Sequence, residues 1–509
     1  MFQRGVLRLA PAAVVAMMVV SAQQTARAAK FEVSFTREVR PGPISARVYV
    51  MLGPARAGPG GPRSEPRFGP NLFRPQPFFA VEAKDWKPGT QREVGADSVG
   101  YPEALSALEA GEYQAQAVIR LNPDTHKLGD GEGNAYGPVI TITVGPNSDE
   151  KAPITLIVDK LVAARKFPET DRVKLVEIDS PMLSAFHHRP IKHRAGVILP
   201  EGDSKRKRGT LYIIPGFGGN HFMASEMVKE GDRLGFGKDL IRVVLDPDCG
   251  TGHHVFADSA FNGPRGKALV EELIPYIEKT FPAIAEPRYR LVNGHSSGGW
   301  SSLWLQATYP DFFGGVWSTS PDSVDFRDFQ KVDLYSKDVN MFRDSKGERR
   351  PIARMGTRAV LFYDNVSKME DVAGDGGQLH SFEAVFSPLG SDGRPAELWD
   401  RKSGAADSNV AKAWESYDIR LVLERNWATL GPKLKGKLHV ITGELDTFYL
   451  EGAVKLLKES LEKLGSDAAI EIVPGRDHRS VLDLKLSQRL DREMNAAVGS
   501  PTLEPGKVP

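Results

Sequence analysis

The sequence predicts an α/β fold, a doubly wound and mostly parallel sheet, preceded by a small all-β sandwich domain. From about residue 173, apolar strand-like segments alternate with helical segments, which is typical of a parallel sheet covered by helices. Residues 30 to about 150 instead contain short strands separated by Gly- and Pro-rich turns. The length of 509 residues exceeds one ordinary domain, so two or three domains are expected.

The composition is that of a globular protein, with 41% hydrophobic and 26% charged residues. The 66 Lys and Arg residues balance 65 Asp and Glu residues, so the chain lacks the basic excess of a nucleic-acid-binding protein and no nucleic-acid partner is expected. The single cysteine, Cys249, excludes an intrachain disulfide and any multi-cysteine metal or iron–sulfur site.

The first 28 residues have the pattern of a signal peptide. Arg4 and Arg8 precede the apolar segment 9–22, and Ala26-Arg27-Ala28 is an A-x-A cleavage signal. The alternative is a membrane anchor, but the apolar segment is shorter than the roughly 20 residues that a spanning helix needs. We expect cleavage after Ala28, a periplasmic or secreted location, and no membrane attachment of the mature chain.

Residues 29–150 are predicted to form an immunoglobulin-like β-sandwich. Phe31, Val33 and Phe35 alternate with polar residues, as in a strand with one buried face. Further strand-like segments lie at 44–52, from residue 111 onward, and at 139–144. Residues 151–170 are predicted to be a linker.

Residues 171–497 are predicted to be the α/β domain, followed by a tail at 498–509. Its predicted strands are 173–178, 195–199, 210–214, 240–245, 289–293, 314–319, 438–442 and 469–473, and its predicted helices are 267–280, 297–309 and 450–464.

The motif Gly294-His295-Ser296-Ser297-Gly298 fits G-x-S-x-G between a predicted strand and a predicted helix. This is the setting of a nucleophile elbow, whose turn is too sharp for side chains at the flanking glycines and which lifts the serine hydroxyl clear of the sheet. The helix N-terminus also favours developing negative charge. Ser296 is therefore the candidate nucleophile, and the alternative is a Gly-rich turn with an idle serine.

A serine hydroxyl needs a base, and in a doubly wound hydrolase sheet the chain order is serine, acid, histidine. Three histidines follow Ser296. His478 comes just after the last predicted strand and is the candidate base, whereas His439 lies within a strand and His380 in an irregular polar stretch.

The acid is expected on the loop after the preceding strand, where Gly443-Glu444-Leu445-Asp446 stands. Asp446 is the candidate and Glu444 the alternative, whereas Asp477 is adjacent to His478 and poorly placed to hold its ring. The acid fixes the imidazole tautomer and stabilises the imidazolium.

Two backbone N–H donors are needed for an oxyanion hole. One is expected from Ser297, the residue after the nucleophile, and the other from the Gly-rich turn after strand 210–214. Phe217 is the candidate there and Gly218 the alternative. A phosphate-binding loop is disfavoured because the Walker lysine pattern and the dinucleotide fingerprint are both missing.

Taken together, these motifs resemble the esterase family of α/β-hydrolases that includes esterase D and enterochelin, feruloyl and acetylxylan esterases, as well as mycolyltransferases. The matching segments are 215–220, Glu272-Leu273-Ile274-Pro275, 293–300, Tyr309-Pro310-Asp311-Phe312-Phe313-Gly314, Ser320-Pro321, 443–446 and Asp477-His478. The resemblance covers about residues 171–495. It implies an α/β-hydrolase fold with Ser296 as nucleophile, Asp446 as acid and His478 as base. An N-terminal β-sandwich is also similar to enterochelin-esterase-like proteins.

The chain departs from that family in the 150 residues between Ser296 and Asp446. Residues 325–430 are therefore predicted to be an insertion, rich in charge and aromatic side chains, that forms a cap or one wall of the substrate cleft. The alternative is a peripheral decoration.

Polar residues also follow strand 240–245, at the sheet edge where ligands bind in such folds. Asn262 and Arg265 are candidate substrate contacts. Ordinary loop polarity is the alternative, and a metal site is disfavoured because the adjacent His253 and His254 lack the spacing of H-E-x-x-H.

The leading hypothesis is an exported serine esterase that acts through an acyl-enzyme, without metal or organic cofactor, on a small-molecule or polysaccharide-borne ester such as an acylated plant or algal polysaccharide or a siderophore-like ester. A serine peptidase of the prolyl-oligopeptidase type is disfavoured because too few residues precede the hydrolase segment for its propeller. A non-catalytic carbohydrate- or ligand-binding protein on a decayed hydrolase scaffold is disfavoured because all three triad candidates are present.

Overall fold

A computed structural model describes residues 29–55, 64–69, 71–145, 153–202, 206–229 and 236–499. The predicted signal peptide, 1–28, and residues 500–509 of the predicted tail lie outside the described residues. Among the described residues, no helix combines the length and apolarity needed to cross a bilayer.

Ten strands form two sheets in the N-terminal part. They are β1 (Phe31–Phe35), β2 (Ile44–Pro54), β3 (Phe78–Trp86), β4 (Arg92–Val94), β5 (Val99–Tyr101), β6 (Gly111–Arg120), β7 (Ala135–Tyr136), β8 (Ile140–Val144), β9 (Ile154–Val158) and β10 (Lys160–Leu161). One sheet has the order β4-β1-β9, and the other has the order β10-β7-β6-β2-β3-β5 with β8 paired to β6. Inward-facing side chains of both sheets, such as Val33, Val50 and Ile119, share one core, so the two sheets form a sandwich.

The described part of the predicted linker is not only a connection. Residues 154–158 form β9, which pairs in parallel with β1, and β10 pairs with β7. The alternation of Ile154, Leu156 and Val158 with other residues is itself a strand pattern, so the sandwich extends beyond residue 150.

An eight-stranded sheet forms the centre of the second domain. Its strands are β11 (Val173–Asp179), β12 (Lys192–Ile198), β13 (Thr210–Ile214), β14 (Ile241–Leu245), β19 (Arg290–His295), β20 (Gly315–Thr319), β23 (Leu438–Gly443) and β24 (Ala469–Val473). The order is β11-β12-β14-β13-β19-β20-β23-β24, antiparallel at β11 and β12 and parallel from β14 to β24. Every residue of β13, β14 and β20 is buried, as their continuous apolar sequences require in a sheet covered on both faces. The predicted α/β-hydrolase sheet is confirmed.

The remaining strands form three hairpins: β15 (Asp248–Cys249) with β16 (Gly252–His253), β17 (Asp258–Ser259) with β18 (Gly263–Pro264), and β21 (Pro351–Met355) with β22 (Arg358–Phe362). The helices are α1 (Pro181–His187), α2 (Met223–Lys229), α3 (Arg265–Ala268), α4 (Ile274–Thr280), α5 (Ser297–Thr308), α6 (Tyr363–Ala373), α7 (Gln378–Phe386), α8 (Ser408–Trp414), α9 (Ile419–Leu434), α10 (Glu451–Lys463) and α11 (Leu484–Ala497), with short 3₁₀ turns at Pro66–Phe68, Leu105–Ala107, Pro287–Tyr289, Phe326–Asp328 and Glu415–Tyr417. A π-helical turn, Leu269–Leu273, joins α3 to α4, whose second residue, Pro275, has no N–H to donate.

The segment predicted as an insertion packs into the core of the second domain. Phe326, Phe386 and Trp414 form a contiguous ring cluster, and Phe386 reaches Trp300 of α5 with 5.1 Å between ring centroids. Because α5 begins directly after the candidate nucleophile, the insertion packs against the helix that follows Ser296.

Candidate active site

Ser296 lies at the sharp turn between β19 and α5. Its backbone has φ 60° and ψ −125°, a conformation that costs energy for a residue with a side chain. A Cβ on Gly294 would lie 2.0 Å from the carbonyl oxygen of Gly298, and a Cβ on Gly298 would lie 1.9 Å from that of Ile214. Both flanking positions therefore require glycine, which is the steric reason for G-x-S-x-G at this elbow.

His478 and Asp446 are joined by a hydrogen bond. The Nδ1–H of His478 donates to Oδ2 of Asp446 at 2.7 Å, and Oδ1 of Asp446 accepts from the N–H of Phe448 at 2.9 Å. Asp446 is fully buried and His478 nearly so. Because Nδ1 holds its proton toward the carboxylate, Nε2 of His478 is left to accept a proton.

The residue next to the nucleophile contacts the candidate base. The ring of His295 lies 4.5 Å from that of His478, and the ring of Phe448 stands edge-on to His478 at 5.0 Å. Burial lowers the pKa of His295 to about 3, so His295 stays neutral and adds no charge beside the base. The three residues predicted to form the triad thus converge at the carboxyl ends of β19, β23 and β24.

The insertion supports the loop that carries the acid. Arg354 of β21 donates from Nε to the carbonyl oxygen of Asp446 at 2.9 Å and from Nη2 to that of Glu444 at 3.1 Å. Its guanidinium also pairs with Glu451 at 2.8 Å. Sequence analysis did not single out Arg354, because its partners lie some 90 residues away along the chain.

The structure places the alternative triad candidates elsewhere. The Glu444 carboxylate accepts from the N–H of Gly475, and His439 stacks on Trp317 within the sheet. His380 of α7 pairs with Asp371, and although burial opposes its protonation, this pairing and nearby carboxylates raise the pKa of His380 to about 9. A histidine that is protonated at neutral pH cannot serve as a resting general base.

The Gly-rich turn after β13 lies against the nucleophile. A Cβ on Gly216 would be 3.2 Å from Cβ of Ser296, so the backbone of Gly216 lies against the elbow. Phe217 is the next residue of this turn. Ser297 is the first residue of α5, and its N–H has no acceptor within the helix. These are the two positions predicted to supply oxyanion donors, and the structure brings their segments together.

A buried histidine holds this turn in place. Nε2 of His253 donates to the carbonyl oxygen of Pro215 at 2.9 Å, while its Nδ1 accepts from the N–H of Val255 at 3.1 Å. Burial lowers the pKa of His253 to about 4, which keeps the ring neutral and the tautomer fixed.

A second carboxyl group lies beside the elbow and was missed by sequence analysis. Oδ2 of Asp322 accepts from Oγ of Ser297 at 2.5 Å and from Nε2 of Gln378 at 3.4 Å, and the N–H of Asp322 donates to the carbonyl oxygen of Ser296. Burial raises the pKa of Asp322 to about 6, against the hydrogen bond from Ser297. Its position directly after Ser320-Pro321, past the carboxyl end of β20, was the available signal.

The raised pKa of Asp322 predicts a pH-dependent gain in stability for Asp322→Asn. The folded chain binds the proton of Asp322 more tightly than the unfolded chain does. The ionised carboxyl therefore lowers the stability of the wild type increasingly from about pH 4 to about pH 6, and the loss of stability is complete above about pH 6. The stability of the variant relative to wild type should therefore rise by about 2 kcal/mol between pH 4 and pH 8. Urea unfolding at both pH values measures this difference.

The matched control is Asp477→Asn, because Asp477 is exposed and hydrogen bonds from Ser480 and other neighbours lower its pKa. It should show no such gain. A constant difference between Asp322→Asn and wild type at both pH values would contradict the prediction.

Asn262 and Arg265, the predicted substrate contacts, lie together on the loop after β14. Oδ1 of Asn262 accepts from Thr251, and its carbonyl oxygen accepts from Nε of Arg265 at 3.0 Å. Within the described residues, neither forms a hydrogen bond or ion pair with Ser296, Asp446 or His478, and no carboxylate lies within 4.0 Å of the Arg265 guanidinium. The same described ranges contain no group of three or more His, Cys, Asp or Glu side chains placed to hold a metal ion.

An elbow serine at the carboxyl edge of a doubly wound parallel sheet, with a hydrogen-bonded Asp and His on the loops after β23 and β24, defines an α/β-hydrolase.

Comparison with known proteins gives one family match and several similar solved structures. Residues 260–460 match a family model described as "Putative esterase". Among solved structures, the chain is similar to FphF, a fluorophosphonate-binding serine hydrolase of Staphylococcus aureus (15% identity, 64% of this chain and 99% of the other, TM-score 0.39). It is also similar to an S-formylglutathione hydrolase from Agrobacterium tumefaciens (14% identity, 64% of this chain and 95% of the other, TM-score 0.39). A third similar structure is a ferulic acid esterase (13% identity, 65% of this chain and 98% of the other, TM-score 0.38). No curated protein sequence matches the chain.

The family match lies within the second domain, so that part of the chain, residues 260–460, is similar to the family described as "Putative esterase".

Proposed function

We propose that this chain is an exported serine esterase in which Ser296, His478 and Asp446 form a catalytic triad. The observation that carries the proposal is the 2.7 Å hydrogen bond from His478 Nδ1 to the buried Asp446 carboxylate, beside a serine held at an elbow with φ 60°. This arrangement leaves Nε2 of His478 to accept a proton at the same edge of the sheet where the elbow presents the Ser296 hydroxyl.

Acylation follows from these positions. Nε2 of His478 takes the proton of Ser296 as Oγ attacks the ester carbonyl carbon, and the carbonyl oxygen becomes an oxyanion held by the N–H groups of Phe217 and Ser297. The tetrahedral intermediate collapses, the bond to the leaving alkoxide breaks, and His478 returns its proton to that alkoxide. Asp446 keeps its negative charge and stabilises the imidazolium.

Deacylation repeats the same steps with water. His478 takes a proton from water as the water oxygen attacks the acyl carbon, the oxyanion forms in the same place, and collapse releases the carboxylic acid as His478 reprotonates Ser296. Every proton and electron pair is supplied by the serine, the histidine, water and the ester, so no step uses a metal or organic cofactor.

The proposed substrate is a carboxylic ester, either a small molecule or a group borne on a polysaccharide. Asn262 and Arg265 are proposed to contact it, since Arg265 is a half-buried cation with no carboxylate within 4.0 Å in the described part of the chain. The proposed location, periplasmic or secreted without membrane attachment, rests on the sequence pattern of residues 1–28.

Labelling with a fluorophosphonate probe tests the proposed nucleophile. The mature chain should bind one equivalent covalently, and peptide mapping should place the phosphonyl group on Ser296, because only an activated serine attacks this electrophile rapidly. Chain unfolded in urea before probe addition serves as the control and should remain unlabelled. A folded chain that takes up no probe, or takes it up at another residue, would contradict the proposed triad.

A further inference from the structure

The N-terminal sandwich is docked on the insertion of the hydrolase domain. Side chains on one face of its larger sheet, including Tyr49 and Met51, form an apolar cluster with Val372 and Met369 of α6. Tyr49 Oη donates to the carbonyl oxygen of Ala373 at 2.6 Å.

Basic side chains of the sandwich meet the carbonyl end of the same helix. Arg47 donates to the carbonyl oxygens of Val372 at 3.1 Å and Asp371 at 2.9 Å. The last carbonyl groups of α6 have no partner within the helix, and side chains of the sandwich supply their hydrogen bonds. The positive charge of Arg47 also interacts favourably with the negative end of the helix dipole.

A second arginine connects the sandwich to loops near the oxyanion turn. Arg120, at the end of β6, donates to the carbonyl oxygen of Gly250 at 2.7 Å and also to that of Asp375. A Cβ on Gly250 would lie 1.8 Å from the carbonyl oxygen of Pro123, so the loop after β6 touches the β15–β16 hairpin directly.

This loop carries His126 to the oxyanion turn. The Nδ1–H of His126 donates to Oδ1 of Asp248 at 2.7 Å, and its ring lies 5.1 Å from the ring of Phe217 at an angle of 46°. The same ring also approaches the hairpin, since a Cβ on Gly252 would lie 3.0 Å from Cε2 of Phe217. The Phe217 ring therefore contacts both the hairpin and a histidine from the other domain.

We propose that His126 is a positioning residue for the oxyanion hole, through which the N-terminal sandwich completes the active site of the hydrolase domain. The inference rests on the proposed function, since it assumes that the N–H of Phe217 holds the oxyanion. His253 fixes this turn at Pro215, and His126 fixes it two residues later at Phe217. Removal of the His126 ring would free the Phe217 side chain to move into the vacated space and would turn its N–H away from the oxyanion.

The test compares variants at position 126 with p-nitrophenyl acetate and phenylboronic acid. The boronic acid forms a tetrahedral adduct on the serine whose oxygen takes the place of the oxyanion, so its affinity reports the hole itself. His126→Ala should lower kcat and boronate affinity by about tenfold each while KM changes by less than about twofold, as expected when a transition-state donor is misplaced. His126→Phe, which keeps a ring against Phe217, should restore most of both, whereas His126→Gln, which keeps only a donor to Asp248, should not.

Lys127→Ala is the matched control in the same loop, because Lys127 forms no ion pair within the described residues. It should leave both readouts unchanged. Wild-type kcat and boronate affinity in His126→Ala would overturn the inference, as would equal losses in the Ala and Phe variants. If the wild type itself shows no labelling of Ser296, the proposed function and this inference both fall, whereas an active, labelled wild type with an unaffected His126→Ala removes only the inference.

Discussion

Ser296→Ala is expected to lower kcat for p-nitrophenyl acetate by about 10⁶-fold and to abolish fluorophosphonate labelling, because the variant has no atom to attack the carbonyl. The fold should survive. Alanine carries the same Cβ as serine, so the strained backbone at φ 60° costs the variant no more than the wild type. The melting temperature should therefore stay within about 3 °C of the wild-type value.

Ser301→Ala is the matched control for this variant. Ser301 lies one turn further along α5, and its buried hydroxyl donates to the carbonyl oxygen of Val255. Its loss removes a hydroxyl from the same helix without touching the proposed nucleophile, so kcat should stay within about threefold. Retained turnover in Ser296→Ala, or an equal loss in Ser301→Ala, would contradict the assignment of Ser296.

Much of the second domain was predictable because its central strands are buried on both faces. The segment 210–214, an apolar run, was predicted with the bounds it has in β13, where every residue is buried. The segment 469–473 was also predicted with the bounds of β24, although β24 is the edge strand and none of its residues is buried. The short helices α1 and α2 were missed because seven residues give too little periodicity. Ser180, which caps α1 through its side chain, and Pro181 at its first position were the local signals.

The candidate triad was predictable because chain order and strand ends determine where its members meet. Ser296, Asp446 and His478 each follow a strand of the parallel sheet, and the carboxyl ends of such strands lie at one edge. Sequence order alone left Glu444 open as the acid. In the turn after β23, Asp446 accepts from His478 and Glu444 accepts from the N–H of Gly475, so only Asp446 contacts the candidate base.

The supporting residues could not be predicted, because their contacts join segments that are distant in the sequence and carry no periodic pattern. His126 and Asp248 lie 122 residues apart, and Arg354 reaches Asp446 across 92 residues. Such pairs exist only after the sandwich, the insertion and the sheet have packed together. The aromatic content of residues 325–430 did indicate a buried segment, but not that it supports both the acid loop and, through Gln378, the elbow.

Asp446→Asn is expected to lower kcat at neutral pH by about 10⁴-fold while the fold is retained. The asparagine Oδ1 can still accept from the N–H of Phe448, as Oδ1 of Asp446 does at 2.9 Å. Its Nδ2 would then donate to Nδ1 of His478, which forces the imidazole proton onto Nε2. In that tautomer the ring cannot accept the Ser296 proton, and the imidazolium also loses its counter-charge. Single-turnover kinetics with p-nitrophenyl acetate should locate the loss in the acylation step.

Glu444→Gln separates the two carboxylates that sequence order left as candidates. Glu444 follows the same strand, but its side chain accepts a hydrogen bond from Gly475 and none from His478. A glutamine can accept that bond equally well, so kcat should stay within about threefold of wild type. A large loss in Glu444→Gln together with near-normal turnover in Asp446→Asn would reassign the acid. A large loss in Asp446→Asn alone would mean that turnover depends on the 2.7 Å hydrogen bond from His478 to Asp446. The negative charge of the loop by itself would then not be sufficient.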